Sequence, residues 1–265
     1  MKNGALAYVE IDEASLVGRL VVNRPHVLNA LDVATAQAIR LAADQLNQRQ
    51  DLRCIEFSGA GRAFMAGGDL SAFADDFAKA DNVVHALLDA LEPVIATFQT
   101  HSAPVIASVH GAVAGAGLSL LAACDLAVAG ASTRFLLAYN QIAAPPDCGG
   151  SYFLPRLLGE RKAAELMYLG ENWNAQDAQA AGLINKVVAD EELISVTADM
   201  VAKIAAGPTL AFTQYKKLVR NGRDRSLDAQ LAAEREAFCA ATKTADFREG
   251  VSAFLARRAP AFLAR

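Results

Sequence analysis

Cysteine is scarce in this 265-residue chain: Cys54, Cys124, Cys148 and Cys239 stand far apart, with no CxxC pair among them. That argues against a disulfide scaffold and points to a reduced chain with isolated structural thiols. Histidine is equally sparse. His26, His85, His101 and His110 are dispersed without HExxH or comparable ligand spacing, so no metal is expected. His101 falls near a predicted helix end, where a favourable dipole or a simple solvated position accounts for it. A GxxxxGK[ST] phosphate loop is missing, and so is a GxSxG elbow, since Gly117-Leu118-Ser119 runs on into Leu120 and Leu121. Gly115-Ala116-Gly117 also falls short of a dinucleotide fingerprint. Leu120 stands where the third glycine is needed, and Leu136 and Leu137 where a ribose-binding acid is needed.

An excess of positive charge is missing too. With 25 basic and 29 acidic residues the net charge is -4, which supplies no basic field for nucleic acid or an anionic membrane. No aromatic-basic motif supports nucleic-acid binding either. The N-terminal MKNGALAYVEID has no apolar core of signal-peptide length before acids appear, so a cytoplasmic location is the expectation. Ala103 to Cys124 is the one stretch long and uncharged enough to weigh as a membrane span. Pro104, His110, Gly111, Gly115 and Gly117 interrupt it, and a buried strand, loop and helix fit it better.

What is present suits a well-buried globular chain, 53% hydrophobic and 20% charged. The length predicts one main domain with a C-terminal helical appendage. Residues 5–11 and 15–22 read as strands of an opening hairpin around Asp12-Glu13-Ala14. Asp32 is a plausible N-cap for a helix with Ile39, Ala42, Ala43 and Leu46 on one face. Arg53–Ser58, Pro104–Val109 and Leu126–Ala129 read as buried strands, and Gly117–Ala123 as a helix. This alternation predicts an α/β architecture. Beyond residue 157 the segments 160–169, 175–181, 190–205, 209–221, 226–241 and 245–257 carry helical patterns. Asn174 can cap one of them and Gly182 end it, while Pro208 suits the first turn of another.

Two small-residue turns resemble each other: Arg62 to Leu70 (RAFMAGGDL) and His110 to Gly117 (HGAVAGAG). Both follow apolar strands. Turns of this kind let backbone N–H groups approach a ligand, but each alone is equally a tight turn with close packing.

Taken with the rest of the chain, these turns carry a family resemblance. Asn23-Arg24-Pro25 with Leu28-Asn29-Ala30-Leu31, the Arg62–Leu70 turn, and Pro104 to Gly111 leading into Cys124-Asp125 follow one another in a specific order. Pro146-Asp147-Cys148-Gly149-Gly150, Ala175-Gln176-Asp177-Ala178 with Gly182-Leu183, and Arg248 to Phe254 (REGVSAF) continue it. Over nearly its whole length the chain resembles the crotonase (enoyl-CoA hydratase/isomerase) superfamily. The PDCGG turn and the C-terminal segment most resemble the isomerases of phenylacetate degradation within it.

The resemblance implies a fold and a set of roles. The fold would be an α/β spiral of ββα units with a helical C-terminal region. Residues 1–200 would form the core with the active site, and 201–265 the part used for oligomerisation and active-site cover, in a homotrimer or homohexamer. The substrate would be an acyl-CoA thioester that brings its own coenzyme A, with no further cofactor. Backbone amides of Gly68 and Ala116 would form an oxyanion hole. Ala63, Ala66 and Leu70 would line the coenzyme A path, with Arg24, Val27 and Leu28 near the pyrophosphate. Phe254 and Arg257 would reach the nucleotide end.

The departures matter as much. Where the family's hydratases carry two catalytic glutamates, this chain has Ser119 and Tyr139. Neither replaces a carboxylate base at neutral pH. The acid that remains is Asp147, a position where the resemblance implies a double-bond isomerase and local sequence allows a helix N-cap. The expected reaction is therefore a shift of the double bond in a 3-enoyl-CoA or ring-derived acyl-CoA, with Asp147 shuttling the proton. Three alternatives stand beside it: atypical hydration, a 4-chlorobenzoyl-CoA dehalogenase-like use of Asp147 as nucleophile, and a non-catalytic acyl-CoA-binding oligomer. Against the second, Ala96 stands where that enzyme has a supporting histidine.

Overall fold

The computed structural model describes residues 4–74 and 76–264; Met1–Asn3 at the start of the segment weighed for a signal peptide, Asp75 and Arg265 lie outside the described residues. The opening hairpin is formed by β1 (Ala7–Asp12) and β2 (Val17–Val22), antiparallel with Ala7 opposite Val22. Asp12 closes its turn by accepting the N–H groups of Ala14 and Ser15. Asp32 caps α1 (Val33–Asn47) through a 2.7 Å bond from the Thr35 N–H, and the predicted face of Ile39, Ala42, Ala43 and Leu46 is buried.

The chain continues through β3 (Cys54–Gly59), α2 (Ser71–Ala74), α3 (Ala80–Thr100), β4 (Val105–Val109), β5 (Ala112–Ala114) and α4 (Ala116–Ala122). Next come β6 (Leu126–Gly130), β7 (Arg134–Leu136), α5 (Gly150–Leu158), α6 (Glu160–Tyr168), β8 (Asn172–Asn174), α7 (Ala175–Ala180) and β9 (Lys186–Val188). The last four helices are α8 (Leu193–Ala205), α9 (Thr209–Asn221), α10 (Leu227–Ala241) and α11 (Ala245–Leu255). Asn174 caps α7 by accepting the Asp177 N–H at 2.8 Å.

Six strands make the main sheet in the order β1-β2-β3-β4-β6-β9, and every pairing after the hairpin is parallel. A parallel sheet is covered on both faces, and all five residues of β4 are buried accordingly. On one face α1 and α3 pack together. There Phe57 of β3 meets Phe98 of α3 and Phe64 of the first small-residue turn, each at a ring-centroid separation of 5.1 Å. Those contacts tie that turn to the core. A second sheet, β5-β7-β8, carries the other turn.

The reading of Ala103–Cys124 as a buried strand, loop and helix holds, while the solvated setting expected for His101 does not. The stretch Ala103–Cys124 divides into β4, β5 and α4, and among the described residues no single helix is long and apolar enough to cross a membrane. His101 is not solvated: it is 1% exposed, donates from Nε2 to Leu46 O at 3.2 Å and accepts the Ala103 N–H on Nδ1 at 3.0 Å. Burial explains this, because a ring sealed against the end of α1 must satisfy both nitrogens internally. Helix α3, the longest among the described residues, ends at His101 as expected, but the sequence pattern gave no start for it.

Helix α9 and the C-terminal segment sit at the N-terminal ends of the parallel strands. Arg53, just before β3, donates to Gly207 O and Phe262 O. Lys216 of α9 reaches Ala103 O, just before β4, and Asp125, just before β6. The two small-residue turns lie at the opposite, C-terminal ends of the strands.

Candidate active site

The two turns run side by side because their backbones pair. Phe64 donates to His110 O at 2.8 Å, Met65 to Ala112 O at 3.1 Å, and Ala114 back to Met65 O at 2.9 Å. Glycine is required where they touch. A Cβ on Gly67, whose φ is +93°, would lie 3.1 Å from Ala114 O, and one on Gly117 would lie 2.7 Å from Met65 O. Leu31 donates to Gly67 O and accepts from the Asp69 N–H, so the N–H of Gly68 between them is turned away from Leu31. Ala116 opens α4 directly after Gly115, which has φ +51°. Neither the Gly68 nor the Ala116 amide has an acceptor among the described residues. Two free N–H donors on abutting turns are what a developing oxyanion needs.

A residue quoted only as part of a motif organises this arrangement. Asn29 is fully buried and donates from Nδ2 to Ala60 O, Ala63 O and Phe64 O at 2.8–3.1 Å. Its Oδ1 accepts the Arg24 N–H at 2.8 Å, and its backbone holds a φ of +57°. The signal in the sequence was an asparagine inside an apolar Leu28–Leu31 run, since a buried amide must find partners. Ala66 donates to Leu28 O at 3.0 Å, which brings Leu28 and Ala66 together. Ala63 is buried, Val27 is half-buried and Leu70 is exposed at the start of α2.

Arg24 stands next to these residues but is already occupied. It donates to Asp69 at 2.7 Å and to Ala30 O, and pairs with Asp32 at 3.2 Å. Bonds from Ser71 and Arg24 hold the Asp69 carboxyl below its usual range. Arg24 thus fastens the Gly68 turn to α1.

Asp147 lies in the loop before α5. Helix α5 opens on Gly149 with no side-chain cap, and what the Gly150 N–H reaches is the backbone oxygen of Asp147. The capping role is therefore excluded. Its Oδ1 instead accepts the phenolic hydrogen of Tyr139, the Cys148 thiol lies within hydrogen-bonding reach of the carboxylate, and no nitrogen donor engages it among the described residues. Burial, then the nearby Asp147 charge and the bond to it, push the Tyr139 phenol well above its ordinary range, so it remains a donor. The Cys148 thiol is pushed up by burial and by the same carboxylate, which makes it inert.

Ser119, at one of the two glutamate positions, faces Asp147's loop from α4. A Cβ on Gly150 would lie 2.5 Å from its buried Oγ, and that hydroxyl lies close enough to the Tyr139 phenol to act on it. Gly115 donates to Leu136 O, three residues before Tyr139, so α4, Tyr139 and Asp147 converge at the oxyanion end of that helix. Among the described residues no group of acids, histidines or cysteines could hold a metal ion.

Phe254 and Arg257 are not brought to this cluster. Phe254 is 82% exposed beside Pro208, Leu210 and Phe262 at the other end of the strands, and five-residue β4 alone spans about 16 Å.

Residues 12–265 match the family model described as Enoyl-CoA hydratase/isomerase. The 1,2-epoxyphenylacetyl-CoA isomerase of Escherichia coli is 34% identical over 92% of this chain and 93% of its own. The 2,3-dehydroadipyl-CoA hydratase of the same organism is 32% identical over 93% and 94%. An enoyl-CoA hydratase crystal structure from Mycobacterium smegmatis superposes with a TM-score of 0.89 at 32% identity, covering 97% of this chain and 98% of that one. The fold is the crotonase spiral, and the chain belongs to the enoyl-CoA hydratase/isomerase family.

Proposed function

We propose that the protein is an acyl-CoA isomerase that shifts a double bond through a thioester enolate, with Asp147 as its sole proton shuttle. The observation that carries this reading is the Tyr139–Asp147 pair: the Asp147 carboxylate is oriented by a phenol, and no nitrogen or second oxygen donor engages it among the described residues. The thioester carbonyl would sit between the Gly68 and Ala116 amides, which stabilise the enolate oxygen as the α-proton leaves. Oδ2 of Asp147 takes that proton from a 3-enoyl-CoA and returns it to the γ-carbon, giving the conjugated 2-enoyl-CoA. One base serves both carbons because they lie on one face of the planar dienolate. Atoms and charge balance without water or any added reactant.

Hydration needs a group to activate water and another to deliver the proton. A buried Ser119 hydroxyl and an upward-shifted Tyr139 are unsuited to either task. Both isomerases and hydratases occur among the relatives, so the support for isomerisation is this chain's own residues together with the isomerase relative. Coenzyme A recognition is proposed to be shared between copies, with Phe254 and Arg257 meeting the Gly68 turn from a second chain. Conjugation absorbance on 3-hexenoyl-CoA tests the activity. Hydration of 2-hexenoyl-CoA at a comparable rate would replace this reading.

A further inference from the structure

Ser119 stands in α4 one helical turn after Ala116, on the face that carries the oxyanion amide. It is fully buried. A Cβ at position 150 would lie 2.5 Å from its Oγ and 3.1 Å from Pro146 Cβ, so the segment Pro146–Gly150, which holds Asp147, closes over the hydroxyl. On its other side the hydroxyl lies close enough to the Tyr139 phenol to act on it. A serine inside a helix commonly turns its hydroxyl to the carbonyl four residues back. Here no backbone oxygen takes it. Alanine would fill the same place without burying a polar group, so the hydroxyl calls for a reason.

We propose that Ser119 is a positioning residue, whose hydroxyl donates to the Tyr139 oxygen and so commits the phenolic hydrogen to Asp147. Counting hydrogens fixes the direction. A phenol has one hydrogen, and Tyr139 gives it to Asp147 Oδ1, so Ser119 can meet that oxygen only as a donor. The effect on the phenol has the matching sign. Burial and the Asp147 charge push it up, and Ser119 draws it down, as a donor to its oxygen does. Donors in series polarise one another, which makes the bond to Asp147 stronger with the serine than without it. No proton leaves the serine or the phenol in this arrangement. Helix α4 thereby serves both halves of the site, with the oxyanion amide at its start and the support of the base one turn on. The effect on rate rests on the isomerase reading, whereas the contact itself does not.

The test combines Ser119→Ala, Tyr139→Phe and the double variant, in steady-state kinetics on 3-hexenoyl-CoA and in proton NMR of the intact protein. Alanine keeps the Cβ and removes only the hydroxyl, so the fold should be retained. Ser119→Ala should lower kcat about 3–10-fold, the range of one neutral hydrogen bond, with KM nearly unchanged. In the Tyr139→Phe background the same substitution should cost less than about twofold, because the serine acts only through the phenol. NMR reads the contact without turnover. The phenolic hydrogen should resonate downfield of the amides, vanish in Tyr139→Phe, and move upfield in Ser119→Ala as its bond weakens. Equal losses from Ser119→Ala in both backgrounds, or a phenolic resonance absent from wild type or unmoved in Ser119→Ala, would overturn the proposal. A wild type that shows the upfield shift on substitution but does not isomerise would leave the serine contact standing and remove the isomerase reading instead.

Discussion

Tyr139 donates its phenolic hydrogen to Oδ1 of Asp147, eight residues on, and this bond fixes the orientation of the carboxylate. A carboxylate at that point in the chain could have capped α5, yet the helix begins on Gly149 without a side-chain cap. The structure uses the acid differently: one oxygen is fixed by a donor that burial keeps protonated, and no nitrogen donor engages the carboxylate among the described residues.

Removing the phenolic hydroxyl with Tyr139→Phe should lower kcat on a 3-enoyl-CoA by about 10–100-fold. That range corresponds to the roughly 1.5–3 kcal/mol of a hydrogen bond to a charged group. The ring stays in place, so KM should change little. Steady-state kinetics would check this, and an unchanged kcat would show that the bond does not orient the base.

Gly117→Ala should damage the oxyanion turns without touching any acid. Its Cβ would lie 2.7 Å from Met65 O and 2.8 Å from Met65 Cβ, forcing the paired turns apart. A loss of about 1–3 kcal/mol in stability is expected from such overpacking, with kcat falling more than KM rises. Urea unfolding alongside kinetics would check both, and a wild-type variant would mean that the turns can give way freely.

Asn29→Ala should also act at a distance from the acid. It leaves three backbone oxygens, those of Ala60, Ala63 and Phe64, without their donor. About 1–3 kcal/mol of stability should be lost, and activity should fall because the Ala63–Gly68 turn is no longer held. A stable, active variant would assign Asn29 no part in shaping the site.

Much of this was legible in the sequence. The hairpin, the caps Asp32 and Asn174, and the buried strands before each small-residue turn follow from local patterns that the structure repeats closely. The pairing of the two turns was not readable, because it rests on Met65 and Val113 meeting across almost fifty positions. Only the end of helix α3, near His101, was legible, although Leu87, Leu91, Val94 and Phe98 recur at helical spacing on its buried face. Pro93 and the β-branched Val83, Val84, Val94 and Ile95 mask that signal. Strands β5, β7 and β8 have three residues each, too few for any period to show. The role of Asp147 was open between cap and base, and only the position of the Tyr139 hydroxyl separates them.

His101 gives a pH dependence of stability. Burial holds its pKa below the ordinary imidazole value, and Nδ1 already accepts the Ala103 N–H. As pH falls below about 6.5, the unfolded chain takes a proton that the folded chain refuses, so stability declines toward the lower folded pKa. Above that window both states are neutral at this ring and its contribution is constant. The Tm of wild type should therefore drop on acidification more steeply than that of His101→Gln. Equal slopes would contradict the assignment.

The most direct measurement compares wild type with Asp147→Asn in D₂O, following 3-hexenoyl-CoA by conjugation absorbance and mass spectrometry. Wild type should form the 2-enoyl product, and the variant should lose at least about 10²-fold in rate, the lower end of what a positioned acid–base group contributes, while binding acyl-CoA nearly as well. A variant that isomerises at the wild-type rate, or a wild type that neither isomerises nor exchanges the α-proton, would contradict the single-carboxylate mechanism.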